Sequence, residues 1–341
     1  MGIQPGSAAD SAGAEQLLRE GRYHDLGCRP AEAMECYAAV IDITGEPRLR
    51  AEALRRLGVL HHLRAEPELA RELCHRSCEV AEQAGAEDLA ADACNALAGF
   101  ALERGDLKEA QARYRHALGL AVENPTLIGK IEQNLGIVAN IRGEWTDALQ
   151  HYSRSLAAYE ATADQRGCAY AHHNLGMIHA DRKRWAEADR HYQISQTLAV
   201  SAGDRHLGGI ALMNRAEVRL AQGDLEGARA GAEQALAIFT EVEARRHRAG
   251  AHRLLGMVFR QRGQLALAES HLRSALEMAA SACCPLIEAD AAKELAILYQ
   301  AERRPGDALG LLMLARELYG QLEARVDLEE VEERIGTIER G

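Results

Sequence analysis

The sequence predicts an all-α protein, a solenoid of about eight helix-turn-helix repeats closed by a C-terminal capping helix. Three observations lead there. A small residue recurs every 37 to 40 positions, as Gly21, Gly58, Ala98, Gly136, Gly176, Ala216, Gly256 and Ala296. Twelve residues after each of these anchors stands an alanine: Ala33, Ala70, Ala110, Ala148, Ala188, Ala228, Ala268 and Ala308. The composition is helical in character, 47% hydrophobic but only 4% aromatic, and rich in Ala and Leu rather than the branched and ring residues of strands.

Each repeat divides into two helices. In the fourth, Ile131, Leu135 and Val138 share a face of the first helix, and Ala148, Tyr152 and Leu156 form the i, i+4, i+8 stripe of the second. The slot four after the alanine holds Tyr37, Cys74, Tyr114, Tyr152, Tyr192, Ala232, Leu272 and Leu312, a run of core residues. Gly105, Gly143, Gly223 and Gly263 recur where the first helix must end in a left-handed cap. Pro30, Pro67 and Pro305 stand three before the alanine, in the first turn of the second helix, where a missing N–H costs nothing. The tail VDLEEVEERIGTIERG sets Leu328, Val331, Ile335 and Ile338 on one face with acids opposite, which predicts a capping helix over 326–341. The repeats then occupy 14–325, and residues 1–13 are expected to be disordered.

The L-G wording of the anchors, with an alanine and a tyrosine at fixed distances behind it, resembles the tetratricopeptide repeat (TPR) superfamily. That superfamily's usual period is about 34 residues. The longer period here is similar to the variety found in Pins/LGN-type spindle-orientation proteins, kinesin light chain and the sensor regions of bacterial activators. The resemblance implies a right-handed superhelical solenoid whose first helices line a concave groove. The sequence departs from the signature in two ways. The leading Trp is absent, and the Tyr slot three after the anchor holds His24, His61, Ala101, Ala139, His179, Arg219, Phe259 and Tyr299. Packing volume supplied from neighbouring positions accommodates both departures.

A formal charge of −11 argues against direct nucleic-acid binding, which draws on Lys and Arg to neutralise phosphates. No apolar run approaches the roughly 18 residues of a membrane span, and the N-terminal stretch lacks the basic and apolar regions of a signal peptide. Eight cysteines without framework spacing read as reduced thiols, so the expected location is cytoplasmic. Phosphate-binding glycine loops, a GxSxG elbow and an HExxH pair are all missing, so neither an enzyme nor a cofactor is expected.

Two residue clusters invite a chemical reading. The stretch from His172 to Tyr192 carries four histidines, and His172 and His179 are close enough in sequence to share a helix face. Three of the four fall in repeat slots filled elsewhere by other residues, which favours packing roles over a metal site; His173 differs in facing the groove. Cys74 and Cys78 fall in core slots and read as small hydrophobes, whereas Cys283 and Cys284 lie at a turn where redox chemistry is conceivable.

The slot two before the anchor is the informative one for binding. It holds Asn134, Asn174 and Asn214 in consecutive repeats. In related long TPR superhelices the resemblance implies a ladder of such asparagines that clamps the backbone of an extended peptide. An amide offers both a donor and an acceptor, so it pairs with any peptide unit. Neighbouring groove slots hold Asn95, Lys130, Gln133, Asn140, His173, Arg253, Arg260 and Lys293, with Met177, Met213 and Met257 as adaptable apolar contacts. The expected function is a scaffold that binds an extended, acidic segment of a partner protein. The alternative is a peptide- or small-molecule-sensing regulatory module, and a solenoid-based metal-dependent enzyme using His172, His173 and His179 is the less favoured third reading.

Overall fold

The computed structural model describes residues 8–121, 123–322 and 324–340. Among them it holds seventeen helices and no strand. The first helices of the eight repeats are α1 (Ala8–Leu26), α3 (Pro47–Leu63), α5 (Glu87–Glu103), α7 (Pro125–Ile141), α9 (Gln165–Asp181), α11 (Arg205–Ala221), α13 (Arg245–Gln261) and α15 (Pro285–Ala301). The second helices are α2 (Pro30–Ile43), α4 (Pro67–Gln83), α6 (Leu107–Leu120), α8 (Trp145–Ala161), α10 (Trp185–Ser201), α12 (Leu225–Glu241), α14 (Leu265–Ser281) and α16 (Pro305–Gln321), and α17 (Arg325–Arg340) follows. The start of α1 lies inside the segment expected to be disordered, and residues 1–7 lie outside the described residues. The chain forms two compact units that meet within α9, one through Gly167 and one from Cys168.

The helix ends follow from local chemistry. Pro30, Pro67 and Pro305 begin α2, α4 and α16 as the spacing predicts, and Pro47, Pro125 and Pro285 begin first helices in the same way. Asp106, Asn124, Asp204 and Asp224 accept hydrogen bonds from the backbone N–H of the third residue of the helices they precede. The turn inside every repeat carries one left-handed residue. Glycine fills it at the four predicted positions, and Cys28, Ala65, Lys183 and Arg303 fill it at φ 54 to 60° in the others.

Packing within a repeat turns on the anchor. All eight alanines twelve residues on are fully buried, as are the side chains four beyond them. A Cβ placed on Gly136 would stand 2.5 Å from the Tyr152 ring, and one on Gly176 would stand 2.7 Å from the Tyr192 ring. Gly58 meets the Cys74 sulfur in the same way, and Gly256 the Leu272 side chain. The glycine is therefore a socket for the partner residue, and the two helix backbones close around it. A second socket takes Tyr159, whose ring lies against both Gly129 and Gly167, and Gly209 does the same for Phe239. Buried hydroxyls are satisfied across the pair: Ser77 Oγ donates to the Ala51 carbonyl at 2.6 Å and Ser155 Oγ to the Gly129 carbonyl at 2.8 Å.

Within each unit the first helices of successive repeats touch, α3 on α5 and α5 on α7 in one, α11 on α13 and α13 on α15 in the other. Second helices show no such pairing among the described residues. The first helices thus form the inner, tighter face of each unit. At the far end α17 packs on α16, with Val331 and Ile335 buried and Leu328 and Ile338 joining the same core, as the tail pattern predicts.

The histidines of the slot pattern turn out to face one another. His172 and His191 bring their Nδ1 atoms to 3.0 Å, and His252 and His271 repeat the same contact at 3.0 Å. The fourth repeat places Glu132 and His151 in this position, 2.5 Å apart. His179 stacks on His191, and Phe259 stacks on His271. A further pair, His206 and His247, joins α11 to α13 at 3.1 Å. Burial holds His191, His247 and His252 down to about 4, with His172 and His179, His206, and His271 respectively adding to the effect, together with Arg190, Arg246 and Arg248.

Two outcomes are expected. Gly136→Ala forces a methyl into the Tyr152 ring and destabilises the fold by about 1–3 kcal/mol. Gly310→Ala, at an exposed helical position with open space, adds about 0.5–1 kcal/mol; urea unfolding of the two variants checks both signs. The histidine pairs set a pH dependence. The folded values of His191, His247 and His252 lie below the ordinary 6.5, so the unfolded chain takes up protons that the folded chain refuses. Stability is full above pH 6.5 and falls as the pH drops from there towards 4, and His252→Phe reduces the slope of melting temperature against pH.

Candidate functional site

The inner faces of the two units carry the predicted groove residues, and each unit arranges them differently. In the first, Asn134 Nδ2 donates to Asn95 Oδ1 at 3.2 Å, joining α7 to α5. Gln133 accepts a long bond from the Tyr159 hydroxyl at 3.4 Å, and Lys130 is exposed on α7. Asn140 lies one turn beyond the anchor with its Oδ1 buried and without a partner. Asn134 is therefore a rung already bonded to a neighbouring helix, while Asn140 keeps an unused acceptor.

In the second unit, α9 and α11 bring together His173, Asn174, Met177, Met213 and Asn214. Asn214 hydrogen-bonds the Tyr192 hydroxyl. Asn174 is 8% exposed, and its Nδ2 has no partner. Beside it, His173 packs against the Tyr192 ring at 5.7 Å, and its Nδ1 is likewise buried without a partner. Burial lowers His173 to about 4, so it stands neutral near pH 7 and offers one donor and one acceptor. Met177 and Met213 are half-buried alongside, the first against Tyr192 and Val218 and the second with its sulfur 3.6 Å from where a Cβ on Gly250 would lie.

The basic groove expected from Arg253, Arg260 and Lys293 is not what the structure presents. Arg253 pairs with Glu217 at 3.1 Å and approaches Asp290 at 4.0 Å; Met257 Sδ lies 3.6 Å from its guanidinium. Arg260 pairs with Glu294 at 2.9 Å, and Lys293 with Asp327 at 2.9 Å and Glu330 at 3.2 Å on α17. These cations tie each first helix to the next rather than standing free. The cause lies in the carboxylates that face these cations from adjacent helices. Arg55 and Asp92, and Arg253 and Asp290, are each 37 residues apart and occupy the same two slots, a spacing that was legible. A cleft of about 380 Å³ opens beside Arg253, lined by Glu217, Leu220, Leu254, Met257 and Gln261.

Among the described residues no group of three or more His, Cys, Asp and Glu side chains is disposed to hold a metal ion. None of their helices is long and apolar enough to cross a membrane. Cys74 is buried beneath Gly58, and burial pushes its thiol up to about 12, as its core slot implies. Cys283 is exposed in a left-handed turn and Cys284 bonds the Ala282 carbonyl at 3.3 Å.

Comparison with known proteins agrees with the repeat geometry. A tetratricopeptide repeat family model matches residues 127–208 and 209–281. No curated protein matches the sequence. Among solved structures, a Rap protein complexed with competence and sporulation factor superposes with a TM-score of 0.64 at 14% identity, covering 98% of this chain and 98% of that one. A signal-transduction ATPase with a tetratricopeptide repeat sensor, from Pyrococcus horikoshii, gives 0.64 at 16% identity over 97% of this chain and 55% of its own. The Cut9–Hcn1 hetero-tetramer of the APC/C gives 0.60 at 16% identity, with 92% of this chain and 55% of that one covered. At these identities the likeness concerns the fold. The matched model shows tetratricopeptide repeats over residues 127–281, and the eight anchored helix pairs carry the same fold along the described residues.

Proposed function

We propose that this protein is a non-enzymatic interaction scaffold that holds an extended peptide segment of a partner protein against the inner faces of its first helices. The observation that carries the reading is the adjacent pair on α9, Asn174 Nδ2 and His173 Nδ1, both buried and both without a hydrogen-bond partner. An unsatisfied buried polar group costs about 1–3 kcal/mol, and the carbonyl and amide of a bound strand would return that cost. Within the same unit Asn214, already bonded to Tyr192, stands beside the ligand as an orienting group, and Met177 and Met213 give its side chains an adaptable apolar floor. Because Arg253, Arg260 and Lys293 are offset by carboxylates, recognition is through the main chain more than through acidic side chains. Lys130 remains as an exposed cation able to favour an acid.

A second reading, a sensing module, is favoured by the cleft beside Arg253, which has the size for a short peptide terminus or a small anion. The Rap protein bound to competence and sporulation factor and the archaeal repeat sensor make that reading reasonable for this fold.

The test is affinity capture with quantitative mass spectrometry, comparing wild type with Asn174→Ala and with the triple variant at Asn134, Asn174 and Asn214. Asn174→Ala should keep the helical circular dichroism of the wild type, since no hydrogen bond of its Nδ2 is lost, yet weaken capture by roughly tenfold. The triple variant should keep its helical circular dichroism and lose the captured partner. Capture that is unchanged in a folded triple variant places the contact elsewhere and rejects the reading. Capture sensitive to Arg253→Ala but not to the asparagines supports the sensing cleft instead.

A further inference from the structure

Outside the inner-face site, one pair of reactive side chains is held together by the packing of two repeats. Cys78 on α4 and Cys94 on α5 place their sulfurs 3.2 Å apart. They sit on different repeats, 16 residues apart, and neither spacing nor slot marks them as a pair. Cys94 is 4% exposed and packs among Ala91, Ala98 and Tyr114, while Cys78 lies at the edge of that core and is reached by solvent. Glu82 lies 3.4 Å from Cys78 Sγ, and His116 lies 3.7 Å beyond it. A disulfide requires about 2.05 Å between sulfurs, so a small side-chain adjustment separates the dithiol from its oxidised form.

We propose that Cys78 and Cys94 are a redox-active dithiol that a peroxide converts to a disulfide, joining α4 of the second repeat to α5 of the third. The hydrogen bond from the Cys78 thiol draws Cys94 below its ordinary range, with Arg113 helping, while that bond and burial push Cys78 up. Cys94 is thus the sulfur that gives up its proton first. Its thiolate attacks one peroxide oxygen; the S–O bond forms, the O–O bond breaks, and the departing hydroxide takes a proton to become water. Cys78 then attacks Cys94; the S–S bond forms, the S–O bond breaks, and the oxygen leaves as a second water carrying the Cys78 proton. Two thiols give up two electrons and two protons, and one hydrogen peroxide becomes two waters. The bond fixes the α4–α5 interface on the helix that carries Asn95, the acceptor for Asn134.

The experiment is hydrogen peroxide treatment of the full chain, followed by intact mass and non-reducing peptide mapping. The expected result is a loss of two hydrogens, a peptide pair linked through Cys78 and Cys94, and reversal by dithiothreitol. Cys94 should react at least about tenfold faster than Cys74, whose thiol is buried and protonated. In Cys78→Ser the link is lost and Cys94 stops at a sulfenic acid that dimedone traps; Cys78→Ala serves if the serine disturbs folding. A Cys283→Ser/Cys284→Ser variant should form the link as wild type does. Oxidation that maps only to Cys283 and Cys284, or Cys78 and Cys94 thiols that persist while exposed Cys28 is consumed, overturns the proposal.

Discussion

The closure of each helix pair around a missing side chain is the constraint from which the rest of this structure follows. Where the anchor is glycine, the residue sixteen positions on is a ring, a sulfur or a leucine seated against the opposing backbone. Where the anchor is Ala216 its partner is Ala232, so the methyl gained on one helix is matched on the other, while Ala296 keeps a leucine, Leu312, and all four are fully buried. In the third repeat Ala98 faces Tyr114, whose hydroxyl lies 3.8 Å from where a Cβ on Gly99 would stand. What recurs is a small residue facing its partner at a fixed distance, with neighbouring positions taking up differences in volume, and so the sequence can vary widely around a fixed period. Once each pair is closed, the face presented by the first helix is fixed. The positions two, three and six before the anchor then have no choice but to line the inner side.

That inner side is divided by charge bookkeeping of a local kind. At its ends the slots carry cation and carboxylate on successive helices, as in Arg55 with Asp92, Arg253 with Asp290 and Lys293 with Asp327. Such pairs hold neighbouring repeats in register, and each partly exposed pair contributes modestly on its own. In the slot three before the anchor, where Arg55, Arg253 and Lys293 stand, α7 holds Gln133 and α9 a neutral histidine, His173, instead. Charge there would have to be neutralised by the next helix or by solvent, whereas an amide can wait for a visitor without a counter-ion. The distinction between structural and receptive positions is therefore one of residue type within a single slot, not of a separate site built on the fold.

The period, the anchors, the alanines and the proline starts were legible because each is a within-repeat relation, and eight copies make a weak signal strong. The capping helix was legible for the same reason, its apolar stripe having no hydrophilic alternative. What remained hidden were relations between repeats. The carboxylates opposite Arg253 and Lys293 lie on the following helices, so the cations alone suggested a basic groove that the fold neutralises. One relation within the repeat is also quiet in the sequence: Glu132 with His151, His172 with His191 and His252 with His271 share a spacing of 19, but the residue types differ and no single copy announces the contact. Cys78 and Cys94 had no readable signature at all, because their meeting depends on the angle at which one repeat lies on the next.

The left-handed residue inside every repeat has one more consequence, which concerns length rather than identity. Four of the eight turns reach that conformation without glycine, at a cost of about 1–2 kcal/mol each. The turn shape is thus imposed by the helices it joins, not chosen by its own residue. Each residue of a helix advances the side chains by about 100° around the axis. Adding or removing one residue in such a turn would rotate the second helix by that angle and carry its alanine and ring away from the socket. These turns are accordingly forgiving of spelling and strict about counting.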